Sequence, residues 1–214
     1  MKKLLFLALL MLPALAFSQK DQRAKEILDD FSKKTKDYKT LYCEFSFTLE
    51  NTQENIKDTQ KGKITIKGKK YLLDLMGTEI YFNGKTKWTF LKEANEVNIL
   101  EPKEGDGGFL DNPSRLFTIY DREFKYKFKE ESTVNKTPVY VIDLYPKKVG
   151  VSYTIVRFSF NKTTLEPVQI KYFSKDGNRY TLDIKALTPN KEVDENLFSF
   201  SPAKHAGVSV NDLR

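Results

Sequence analysis

One cysteine, one histidine and one tryptophan stand among the 214 residues. A single cysteine excludes an internal disulfide, so the fold must be held by burial alone. Cys43 lies on an apolar alternation and reads as a small core hydrophobe. With no histidine or cysteine pair, a zinc or redox site has no ligand set. A nucleophilic triad needs a base beside its nucleophile, and the sole histidine, His205, sits in the C-terminal tail after Pro202. It reads as a surface or packing residue. Glycines 105, 107 and 108 precede no helix carrying a lysine–threonine phosphate motif, which excludes a P-loop. Glu101, Glu104, Asp106 and Asp111 lack the alternating spacing of a calcium loop and read as a solvated loop. No cofactor is expected, no internal repeat or low-complexity segment is visible, and nothing points to an enzyme.

Long apolar runs are absent except at the start. Lys2 and Lys3, the apolar stretch from Leu4 to Leu12, and Ala16-Phe17-Ser18 have the layout of a signal peptide with a small-x-small cleavage site. The run is too short to span a bilayer. The expectation is removal of residues 1–18, a mature chain from Gln19, and a single exported domain over 19–214. No cysteine stands at that junction, so the chain is not expected to be a lipoprotein itself.

Without Lys2 and Lys3 the net charge falls from +7 to +5. The lysines are scattered and interleaved with acids, which suits a solvated surface better than a nucleic-acid patch. The excess remains available for docking to an acidic partner or to anionic headgroups.

Two periodicities dominate what is there. Ala24, Ile27, Leu28 and Phe31 fall on one face of an amphipathic helix over 21–36. Leu41, Cys43, Phe45, Phe47 and Leu49 then alternate with mostly polar residues, the pattern of a half-buried strand. Further strands are expected at 59–67, 70–76, 78–82, 86–91 and 95–100. Asn83-Gly84 carries a type I′ hairpin signal. The second half repeats the style at 124–128, 139–145, 156–160, 168–172, 180–184 and 198–200, with Asp176-Gly177 as another turn. Short spacings leave no room for crossover helices, so the order should be an antiparallel meander. About ten or eleven strands are too many for a flat sheet, so a mainly β (α+β) fold curling into an incomplete antiparallel barrel is expected. Asp111-Asn112-Pro113 has the form of a helix start, and Leu116, Phe117 and Tyr120 share one face of a short helix. Helices at 21–36 and 113–120 would cover the open side.

Aromatics make up 13% of the chain and gather on one face of successive strands. Spacing alone leaves two readings open, a packed core or the lining of a cavity, and a curled sheet of this size encloses more volume than side chains readily fill.

Several segments resemble the LolA-type lipoprotein carrier family. They are Gly62-Lys63-Ile64-x-Ile66-Lys67, the hairpin Tyr81-Phe82-Asn83-Gly84-Lys85-Thr86-Lys87-Trp88-Thr89-Phe90, and Pro113-Ser114-Arg115-Leu116. The last is the tail Phe198-x-Phe200-x-Pro202 followed by Gly207-Val208-x-Val210-x-Asp212. Their order covers essentially the whole mature chain. The resemblance implies an incomplete, strongly curved barrel whose hydrophobic cavity takes the acyl chains of lipoproteins. It also implies a monomer that receives its cargo from an inner-membrane ABC-type releasing complex, passes it to an outer-membrane acceptor, and hydrolyses nothing. On that basis the acyl-chain candidates are Phe45, Phe47, Leu49, Ile64, Ile66, Trp88, Phe90 and Phe158, and the lid candidates Ile27, Phe31, Leu116 and Phe117. Family members often carry an arginine after the lysine of the first segment. This chain has Gly68 there, followed by Lys69 and Lys70, so that arginine's part in lid closure is not carried over. The alternative within the same scaffold is a module that binds free lipid or glycolipid, or senses mislocalised lipoproteins. An esterase would have to use His205.

Overall fold

The computed structural model describes residues 12–102 and 123–214, with side chains from residue 21 onward. The expected helix over 113–120, with Leu116 and Phe117, lies outside the described residues.

Helix α1 runs Leu12–Lys36 and is therefore longer than the 21–36 read from periodicity. The expected cleavage junction falls within it. Lys33, Lys34 and Lys36 in the last turn complement the negative end of the helix dipole. Twelve strands follow among the described residues. The first half holds β1 (Leu41–Asn51), β2 (Ile56–Lys67), β3 (Lys70–Leu75), β4 (Thr78–Phe82), β5 (Lys87–Leu91) and β6 (Glu96–Leu100). The second half holds β7 (Phe124–Val134), β8 (Thr137–Pro146), β9 (Tyr153–Asn161), β10 (Pro167–Ser174), β11 (Arg179–Pro189) and β12 (Ser209–Asp212).

All twelve form one open sheet in the order β12-β6-β5-β4-β3-β2-β1-β11-β10-β9-β8-β7. Two antiparallel meanders, β1–β6 and β7–β11, are joined where β1 pairs with β11. The count exceeds the ten or eleven expected, and only one helix, not several, is seen against the sheet among the described residues. The meander order itself is as the short connections require.

Three local expectations change. Asn83-Gly84 does link β4 to β5, and Gly84 has φ +98°, but Asn83 keeps a negative φ. Its side-chain oxygen instead accepts from the N–H groups of Lys85 and Thr86, an Asx-type turn rather than type I′. Residues 198–200 are not a strand. Asp194 caps a 3₁₀ turn at Glu195–Phe198, and Pro202 opens a second one at Pro202–Lys204. The tail beyond is not held by side-chain packing alone: β12 adds to the sheet edge in parallel with β6, Val210 opposite Val97. That is the one parallel pairing among the described residues.

Strand register sorts the side chains onto two faces, because partners directly opposite in an antiparallel pair point the same way. One face, here the α1 face, carries Ala24, Ile27, Leu28 and Phe31 of the helix packed on Phe128, Ile142, Phe158, Phe160 and Ile170. The Phe31 and Phe160 rings lie 5.0 Å apart. Arg23 lays its guanidinium 4.6 Å from the Phe128 ring centre and pairs with Glu131, fixing the helix over β7 and β8. Helix α1 thus covers the second meander and leaves the first without it.

Candidate functional site

On the α1 face the register runs Cys43–Ile64–Leu73–Ile80 and Leu41–Ile66–Tyr71–Phe82 across β1 to β4. Leu41, Cys43, Phe45, Ile64, Ile66 and Tyr71 are buried there. Around them Phe47, Leu73, Leu75, Ile80, Phe82 and Ile184 are only half-buried. Leu182 belongs to both this cluster and the one beneath α1, so a single apolar surface continues across β11. β-branched and aromatic residues at every second position make the strands, and the same residues make the surface apolar.

Gly62 shapes this surface. It is paired with Phe45, and the Phe45 ring lies across its Cα. Cys43, 4% exposed, sits beside them, and burial pushes its thiol up to about 12. An unionised thiol is a poor nucleophile, so Cys43 contributes packing and not chemistry.

The sequence candidates divide as follows. Phe45, Phe47, Ile64 and Ile66 come together on the first meander, and Leu49 shares their face further along β1. Phe158 shares the same face but is enclosed under α1, stacked 5.4 Å from Phe160 and joined by Ile27 and Phe31. Trp88 and Phe90 are not brought together with these. Their register, Phe90 opposite Glu79 and Glu79 opposite Asp74, sets them on the other face of the sheet. There Phe90, Val97 and Phe200 form a separate small core with Tyr81, Trp88 and Val208 packed on it. Sequence reasoning left out Leu73, Leu75, Ile80, Phe82 and Ile184. Their alternation is visible in the chain, but only pairing shows which phase of it meets Phe45.

His205 belongs to that second core. Its ring stacks on Phe200 with 4.4 Å between centres and meets Phe90 edge-on at 4.5 Å, while Nδ1 lies 3.0 Å from the Ser201 carbonyl oxygen. It packs between two phenylalanine rings. The Glu195–Phe198 turn is fixed to the same face by Lys67 and Lys70, which both donate to the Glu195 carboxylate. Gly68, between those lysines, has φ +57° at a two-residue hairpin link. Glycine adopts that backbone conformation without strain.

Two further features lie on that opposite face. An open cleft of about 560 Å³ is lined chiefly by Glu44, Ser46, Lys61, Lys63, Asp74 and Lys185, beside the bulge that leaves Lys185 out of the β1–β11 register. Its charged lining mixes both signs, and Phe45 and Gly62 also border it. Across the second meander Arg157 forms a bidentate pair with Asp143, at 2.6 and 2.9 Å, with Asp143 buried. Among the described residues no group of histidine, cysteine and acidic side chains is arranged to hold a metal. No helix among them is long and apolar enough to cross a membrane.

Residues 14–174 match the family described as outer membrane lipoprotein carrier protein LolA. The chain belongs to that family. A structure of an uncharacterised conserved protein from Thermus thermophilus shares the fold, at 11% identity and a TM-score of 0.56, over 88% of this chain and 98% of the other. A LolA superfamily protein from Nitrosomonas europaea gives 12% identity and a TM-score of 0.44, over 83% and 97%. The lipoprotein LppX from Mycobacterium tuberculosis gives 9% and 0.44, over 79% and 98%. The latter two are too distant to support a conclusion. No curated protein matches the chain. The family is not a catalytic one.

Proposed function

We propose that this LolA-family chain binds the acyl chains of lipoproteins on the α1 face of its first meander and carries them through the periplasm. The observation that carries the reading is the half-buried apolar strip from Phe47 through Leu73, Leu75 and Ile80 to Phe82, continuous with a core that α1 closes only on its other side. An acyl chain of about sixteen carbons costs on the order of 12 kcal/mol to leave in water, so a carrier must enclose it. A strip of aromatic and branched side chains without fixed polar anchors offers area without orientation. That suits a cargo that must also be released. Phe45, Phe47, Leu49, Ile64 and Ile66 are assigned to this surface, and Ile27 and Phe31 to the helix bordering it. In this reading the N-terminal segment directs export, the donor is an inner-membrane releasing complex, and the recipient is an outer-membrane acceptor.

The test is transfer of a fluorescently labelled lipoprotein from membranes to the supernatant by the purified chain. Cargo should appear in the supernatant, and Phe47→Glu and Ile80→Glu should each abolish its appearance. A supernatant free of cargo with the wild-type chain overturns the proposal. Organic extraction of the native protein separates the second reading: lipid without attached peptide would favour a free-lipid or glycolipid carrier on the same surface.

A further inference from the structure

Strand β2 outruns its neighbour β3. It pairs with β1 along its whole length, from Ile56 opposite Asn51 to Ile66 opposite Leu41. Strand β3 covers only the second half, and its last residue, Leu75, stands opposite Gly62. Residues 56–61 therefore have β1 on one side and, among the described residues, no strand on the other. All six are exposed, whereas Ile64, Thr65 and Ile66 in the paired half are buried. The segment is nonetheless fixed. The Thr48 and Thr59 hydroxyls lie 2.9 Å apart across the β1–β2 pair, and β1 is held in turn by β11. In an antiparallel ladder every second residue turns both its N–H and its C=O to the same side. The free side thus presents a preformed row of backbone donors and acceptors.

This step in the sheet lies at the end of the apolar strip. On the α1 face Phe47 is opposite Gln60 of the free segment, and Leu75 is opposite Gly62 at its border. Met76, 55% exposed, follows Leu75 at the corner. On the other face the cleft of about 560 Å³, bordered by Lys61, Gly62 and Asp74, opens at the same step.

We propose that the free edge of β2 takes the polypeptide of the cargo as an added antiparallel strand, while its acyl chains lie on the strip. A second copy of this chain fits the edge poorly. Directly opposite residues must share a face, so a two-fold pairing centres on Asp58 or on Thr59. The first sets Asp58 against its own copy, and the second sets Lys57 against Lys61. Charge does not choose the occupant either, because Glu50 already stands opposite Lys57. Direction favours the cargo. A strand continuing the line of β3 would start beside Lys61 and Leu75 and leave past Ile56. A lipoprotein bears its lipid on its first residue, so this course sets the lipid end at Phe47 and Leu75 and leads the rest of the chain away. Main-chain bonding makes few demands on sequence, which suits a carrier of many cargos. The inference rests on the carrier reading and deepens it.

Hydrogen exchange of the full chain, followed by nuclear magnetic resonance, tests it with three probes. These are a fluorescent fatty acid, a triacylated peptide of uncharged residues, and the same lipopeptide N-methylated throughout its backbone. The plain lipopeptide should slow exchange about 10-fold or more at every second amide within 56–61, and the fatty acid should leave those amides unchanged. The N-methylated form, which has no N–H to donate, should bind about 10-fold more weakly and slow none of them. Lipopeptide bound with unchanged exchange at 56–61, or bound equally well when N-methylated, overturns the proposal. Fatty-acid uptake in the same experiment would then leave the cargo face standing. Slowed exchange with the lipopeptide in a chain that takes up no fatty acid would uphold the edge and count against the strip. Failure to bind any of the three overturns both.

Discussion

The ring of Phe45 occupies the space that a side chain on Gly62 would need: a Cβ there would stand 2.6 Å from both Cε2 and Cζ of Phe45 and 3.0 Å from Leu75 Cδ1. A glycine in mid-strand ordinarily weakens a sheet. Here its missing side chain lets an aromatic ring lie flat across β2, filling the floor of the apolar face. Gly62→Val should therefore cost about 1–3 kcal/mol through overpacking. Urea unfolding would show a lowered midpoint. Combining the change with Phe45→Leu should recover part of the loss, since the two residues are in contact.

Burial has a chemical consequence at Cys43. With its thiol pushed up to about 12, almost none is ionised near neutral pH. Native protein should react with a maleimide or iodoacetamide at pH 8 far more slowly than protein in denaturant, where the ordinary thiol value returns. Equal rates in the two conditions would show that Cys43 is accessible.

The opposite face should be no less important for stability. Phe200 is 6% exposed between Tyr81, Phe90 and His205. Phe200→Ala should destabilise by about 3–4 kcal/mol. It should also speed hydrogen exchange at β12, which pairs with β6 beside Val97 of the same core. His205→Ala removes only one ring from the same stack and should have a smaller effect of the same sign.

The Asp143–Arg157 pair lies across β8 and β9, its side chains 6% and 23% exposed. Asp143 raises the Arg157 guanidinium above its ordinary value by hydrogen bonding to it. Asp143→Ala strands a partly buried cation and should cost about 3 kcal/mol. Replacing both partners by apolar residues of similar size should cost much less, and chemical denaturation of the three variants distinguishes the outcomes.

The Glu195 latch gives a sign for pH dependence. Hydrogen bonds from Lys67 and Lys70 hold its carboxyl down to about 2, below the ordinary value of 4.5. A depressed carboxylate contributes stability that is fully present above its unfolded value and is lost as pH falls through the folded one. The contacts of the Glu195–Phe198 turn should therefore persist at pH 5 and loosen between pH 4.5 and about 2. Nuclear magnetic resonance titration of that turn should follow this course in the wild type, and Glu195→Gln should abolish it.

Strand existence was legible because alternation is local: Leu41 to Leu49 announces its period within one segment, as do Thr78–Phe82 and Glu96–Leu100. The amphipathic stripe of α1 was equally plain, and so was the packing role of Cys43. Facing was not legible. Trp88 and Phe90 alternate as cleanly as Phe45 and Phe47, yet the four hairpins between β1 and β5 bring their phase out on the other side of the sheet. The tail misled for a related reason: Phe198 and Phe200 look like a strand, but Asp194 and Pro202 supply 3₁₀ starts on either side.

The sequence by itself determined the element types, the lack of any disulfide, the poverty of catalytic groups and, through its motif order, the family. Those properties reside in neighbouring residues and in composition. Only the tertiary structure decided that the sheet has two separate apolar surfaces, that the first meander's α1 face is half-covered, and that β12 joins an edge in parallel. Each depends on which residues lie opposite one another across strands distant in the chain. A shift of one residue in any such pairing would turn a strand's apolar side to the other face.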